Sequence, residues 1–192
     1  MFSRDIKSGI TISNMSDELF NDALYFREQI EKTEEYFIVE RFKRVSIICF
    51  CASTESWINT IIKENLSGKV KLSNIDTEVL EFINDPNKSI PKYFNSVKRK
   101  LYNFVPRAIN GQSINWNSDK QKEFEKYIEL SEIRNTIVHF SNRSSQVIHS
   151  DKVNSMIKEA PEIIENLFNK YSEMGSVLKT PEWFKFRKSR LI

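Results

Sequence analysis

Apolar side chains recur every three or four positions along most of this chain. No stretch alternates apolar with polar over strand length between hairpin turns. The pattern predicts an all-α fold, a helical bundle of about five main helices. Gly68, Gly111 and Gly175 each follow a periodic run, where helix C-termini place glycine. One helical domain is expected over residues 16–175. An N-terminal extension, 1–15, precedes it, and a basic and aromatic tail, 176–192, packs on or near the bundle.

The first helix is expected at about 16–33, capped by Ser16, with Asp17 and Glu18 at its positive end. Leu19, Ala23, Phe26 and Ile30 form its apolar stripe. The second, about 34–66, is apolar around much of its circumference (Phe42, Val45, Ile48, Cys49, Ala52, Trp57, Ile58, Ile61) and is the expected central helix. A short helix follows Asp76 and ends near Asn84. A third main helix covers about 92–105, where Pro106 kinks or ends it. Ser118 with Gln121 three residues on reads as a capping box that opens a fourth helix, about 119–140. The fifth, about 151–174, is expected to break at Pro161.

Composition changes this picture little. The formal net charge of +3 permits nucleic-acid binding without demanding it, because a local basic patch matters more than the total. Cys49 and Cys51 stand two apart, point to opposite sides of a helix and read as reduced, buried small hydrophobes. The N-terminus lacks the apolar run of a signal peptide, and the most apolar stretch, Val45 to Ala52, is too short to span a bilayer. A cytoplasmic protein with no membrane association is expected.

The chemistry concentrates on the fourth helix, in Arg134, Asn135, Thr136, Ile137, Val138 and His139. Arginine is a permanent forked cation suited to phosphate. Histidine is the side chain whose ordinary pKa allows proton transfer near neutrality, and the chain has two. Asn135 and His139 are four apart and share a helix face, so the amide can orient the imidazole. Arg134 and His139 are five apart, roughly 140° around the axis, and so poorly placed to grip one phosphate from a single helix. Leu130, Ile133, Ile137 and Phe140 form one apolar stripe and Phe124, Tyr127, Ile128 and Val138 a second, so one face wants a further cover. Two copies of this helix facing each other across a two-fold axis answer both points.

This motif resembles the R-x(4–6)-H signature of the HEPN superfamily, small all-α proteins with many ribonuclease members. A polar residue directly after the arginine, here Asn135, is part of the resemblance. The segment CASTESWINTIIKE is similar to the early core helix of some branches, with Glu55 and Asn59 four apart. The resemblance implies a HEPN-like bundle dimerising through the motif helix. It implies a metal-independent endoribonuclease without cofactor that cleaves RNA by attack of the ribose 2′-hydroxyl, acting as a toxin or phage-defence effector. Arg134, His139 and Asn135 then carry the site, with Glu55 and Asn59 in support and no metal ligands. The expected partners are RNA and a second copy of the chain, and an antitoxin or defence-system protein is compatible with the same reading. The alternative is a non-catalytic HEPN-like module that binds a nucleotide or a partner.

Plainer readings stand beside these. Arg134 pairs with Glu132 or Glu129 as a structural arginine, and His139 is a half-buried helix residue. Glu55 and Asn59 either orient Arg134 or form a surface strip. Lys98, Arg99 and Lys100 either track an RNA backbone or make a solvated helix face. The aromatic tail around Trp183, Phe184 and Phe186 either stacks on RNA or folds back onto the bundle. His149 reads as a surface residue.

Overall fold

The computed structural model describes residues 14–85, 87–139 and 151–190. Among them the fold is all-α, with six helices and no strand. Helix α1 is Met15–Lys32, α2 is Tyr36–Ser67 and α3 is Asn74–Asn84. A continuous helix over residues 97–110 is α4, Lys122–Val138 is α5 and Asp151–Glu173 is α6. Residues 1–13, which hold most of the expected extension, as well as Phe140 and His149, lie outside the described residues.

Helix α2 is the spine. Ile47, Phe50, Cys51, Ile58, Ile61 and Ile62 are buried along it, although Ile48, read as core, is exposed. Taken whole, α2 is long and apolar enough by composition to cross a bilayer, which the short run Val45 to Ala52 did not suggest. Some 56% of that window is buried inside the fold, as befits a core helix. Helix α1 packs back along α2 through a seam of small residues. Ser46 Oγ donates to the Ala23 carbonyl (2.9 Å), and Ser53 Oγ donates to the Ser16 carbonyl (2.6 Å). Hydroxyls that satisfy backbone acceptors let two helices close tightly without stranding a polar group. The cap of α1 is Asn14, whose side chain accepts from Ser16 N–H; Ser16 itself is buried in the seam.

Three helix ends depart from expectation. Helix α4 begins after a separate 3-10 turn, Lys92–Phe94, and runs through Pro106 rather than stopping there. It does so by way of a π-helical segment, Lys100–Phe104, in which Val105 N–H reaches back to the Lys100 carbonyl. Pro106 has no N–H to give, so the carbonyls behind it need outside donors. Ile114 N–H supplies one to Tyr102 (2.8 Å), and the Tyr171 hydroxyl supplies one to Leu101 (3.2 Å). Helix α6 passes through Pro161 unbroken: its apolar face, including Ile157, Ile164, Leu167 and Phe168, is buried on both sides of the proline. The proposed capping box does not form. Ser118 and Asp119 close a turn on the Asn115 carbonyl, Gln121 N–H goes to the Tyr102 hydroxyl (3.1 Å), and α5 starts at Lys122.

The tail lies against α1, α2 and α6. Phe184 is fully buried, edge-on to Phe20 (5.0 Å) and stacked on Phe168 (4.7 Å). Arg190 N–H donates to Asn21 Oδ1 (2.7 Å), and Ser189 N–H donates to Glu28 (2.6 Å).

The Tyr171 hydroxyl is buried and serves a carbonyl that Pro106 has orphaned. Tyr171→Phe is therefore expected to cost about 1–3 kcal/mol, the range for an unsatisfied buried acceptor, as read from urea unfolding.

Candidate active site

Three helices converge on one open groove of about 590 Å³. Helix α2 contributes Glu55. The start of α4 contributes Lys98 and Lys100. Helix α5 contributes Ile128, Glu132, Arg134 and Asn135, and His139 closes the end. On α5 the stripe Ile128, Glu132, Asn135 follows helical spacing, and Arg134 sits at its flank, between groove and core.

Glu55 organises the cations. Its Oε1 accepts from Arg134 Nη2, and its Oε2 faces Lys100 Nζ at 3.7 Å. The lysine ammonium also lies over the Phe94 ring, 4.6 Å from the centroid. Lys100 is buried, which depresses its pKa against the upward pull of Glu55. Arg134 Nε is buried without a hydrogen-bond partner. Behind the guanidinium lies the Cys51 thiol, which burial pushes up to about 12 despite the nearby positive charge. Burial likewise lifts the Tyr127 hydroxyl well above its ordinary range, and that hydroxyl faces the Cys51 carbonyl at 3.4 Å. Cys49, half-buried, rises to about 11. Both thiols are thus kept protonated at neutral pH.

Arg134 pairs with neither Glu132 nor Glu129; Glu129 is taken by Lys152 (2.6 Å). His139 is not a half-buried helix residue. It is exposed and leaves the helix as the C-cap, with φ −103° and ψ 51°. Its N–H donates to the Asn135 carbonyl (2.8 Å), the ordinary helical bond that any residue at 135 would accept, and no bond between the Asn135 amide and the imidazole stands among the described residues. His139 keeps the helical bond to the fourth residue back, so its Cα stays near the wheel position about 140° from Arg134, yet the groove is broad enough to be lined by both. Arg134, Asn135 and His139 line one groove. Asn59 lies one turn from Glu55 on α2, but its Oδ1 is buried without a partner and it does not line the groove. The three basic residues divide: Lys98 and Lys100 line the groove, while Arg99 is exposed elsewhere.

The two apolar stripes read on this helix are not separate faces. Phe124, Tyr127, Leu130 and Ile133 all enter the same core, Ile128 floors the groove, and Val138 is left exposed. Ser53 and Thr54 bond backbone carbonyls and are helix residues with no part in the groove.

Sequence reasoning missed Lys100 as a site residue tied to Glu55, and Glu132 as a second carboxylate of the groove. The Lys-Arg-Lys run concealed the first, since only the fold shows which of the three turns inward. Among the described residues three cations (Lys98, Lys100, Arg134) meet two carboxylates (Glu55, Glu132), an excess of one positive charge before His139 is counted. No group of three His, Cys, Asp or Glu capable of holding a metal stands together among the described residues. No family model, no curated protein and no solved structure matches the chain.

Removing Glu55 strands two cations at once. Glu55→Ala is expected to lower stability by about 1–3 kcal/mol, less than a fully buried pair because the group is part-exposed. Adding Lys100→Met is expected to recover part of that loss in the same unfolding assay. Iodoacetamide at neutral pH is expected to spare both cysteines in the native protein and to label both once it is denatured, as followed by mass.

Proposed function

We propose that this chain is a HEPN-like, metal-independent endoribonuclease that works as a homodimer in a toxin or phage-defence role. The observation that carries the reading is the shared groove: an arginine fork, a buried lysine and an exposed imidazole open onto one cationic cleft. A phosphodiester complements that excess charge, and the ribose beside it supplies the nucleophile.

The chemistry follows from the side chains. The neutral imidazole of His139 takes the proton from a ribose 2′-hydroxyl. The freed oxygen attacks the adjacent phosphorus. Arg134, braced by Glu55, and Lys100 stabilise the added negative charge of the phosphorane. The bond from phosphorus to the 5′-oxygen breaks, and a protonated imidazole, from this or the second subunit, protonates the leaving oxygen. The products are a 2′,3′-cyclic phosphate and a 5′-hydroxyl. Deoxyribose has no 2′-hydroxyl, so DNA is not a substrate. Asn135 lines the same groove and offers its amide to the bound strand.

Cleavage of labelled single-stranded RNA in EDTA tests this. The parent is expected to cut and leave cyclic-phosphate ends. Arg134→Ala is expected to lose about 100- to 1,000-fold in rate and His139→Ala about 100- to 10,000-fold, both with the parent's helical circular dichroism. Either variant cutting as fast as the parent refutes its assigned role. RNA binding without products assigns the non-catalytic module instead.

A further inference from the structure

Beside the groove, on the other side of Lys98, lies a second opening of about 260 Å³ with a different character. Trp116 lines it, together with Asn103 and Asn117. Neither amide has a hydrogen-bond partner among the described residues. Lys98 links the groove to the tryptophan of this second opening. It lines the cationic groove, and its ammonium rests over the Trp116 ring, 5.3 Å from the centroid.

The loop that carries the tryptophan is held firmly. Ile114 N–H is bonded to the Tyr102 carbonyl (2.8 Å), and Asn115 closes the next turn by accepting from Asn117 N–H at its side chain (3.0 Å) and from Asp119 N–H at its carbonyl (2.8 Å). The indole is half-buried against the core edge. A rigid aromatic face, free amides and an adjacent cation are the elements that bind an unstacked base next to its phosphate. No apolar ligand needs the amides, and no isolated anion needs the indole.

We infer that this pocket is a nucleobase subsite for single-stranded RNA. The inference rests on the nuclease reading and extends it. A base of the bound strand stacks on Trp116 in place of the Lys98 ammonium. Its edge pairs with the amides of Asn103 and Asn117, and the released lysine takes the neighbouring phosphate. Duplex RNA, whose bases are already stacked, does not fill the pocket.

The test uses the full chain and a short single-stranded RNA carrying all four bases. Its binding is expected to quench the parent's indole fluorescence. Trp116→Phe, which retains Trp57 and Trp183, is expected to lose most of that quench. Trp116→Ala is expected to weaken binding at least about five-fold, the lower end for removing a stacked base. Duplex RNA of the same sequence is expected to give no Trp116 quench. An undiminished quench in Trp116→Phe overturns the subsite and leaves the nuclease reading standing. A Trp116-dependent quench in a parent that cuts nothing upholds the subsite and refutes the nuclease.

Discussion

One carboxylate holds two cations from different helices around an open groove, and the site depends on it. Glu55 comes from α2, Arg134 from α5 and Lys100 from α4, so the three helices are tied at one point of charge. Each ion gives up hydration to be there, and the pairing must offset that cost. One carboxylate cannot neutralise two cations. The remaining positive charge faces the groove, where an anion can approach without first displacing a well-matched partner. The same contact that braces the fold therefore leaves the opening short of negative charge.

Where Glu55 stands follows from how α2 is packed. The helix is buried along its length by apolar residues, and its serine-lined side closes on α1. Those contacts fix its rotation. Glu55 is then left facing the seam between α4 and α5, where Lys100 and Arg134 come within reach. The helices, their order and their approximate spans were legible in the periodicity, because a buried face writes itself into the spacing of apolar residues. The pairing of Glu55 with Arg134 is one of two readings that the sequence leaves open at Glu55, and the ion pair that forms selects it, since an acid in an apolar helix needs a partner.

What periodicity could not show lies at helix ends and irregular turns. Ser118 and Gln121 have the spacing of a capping box, yet the Tyr102 hydroxyl captures Gln121 N–H first. Pro161 reads as a break, yet the burial gained on both sides outweighs the lost backbone bond. The helical wheel separates Arg134 from His139, yet both line one groove, whose breadth the wheel does not show. In each case the tertiary surroundings decide the outcome, and they are not visible in residue spacing.

Pro106 shows how far such an override reaches. The missing N–H and the π-helical segment before it release two carbonyls of α4. Tyr171 takes one, which docks α6. Ile114 takes the other, which draws the following loop back over the start of α4. That loop carries Trp116, and its return sets the indole beneath the Lys98 ammonium. Side chains two apart on a straight helix diverge by about 200°, yet Lys98 and Lys100 both line the groove. Their long stems allow it, with one ammonium over Trp116 and the other over Phe94. An aromatic surface under each lysine thus turns a run that reads as solvated helix face into one wall of the cleft.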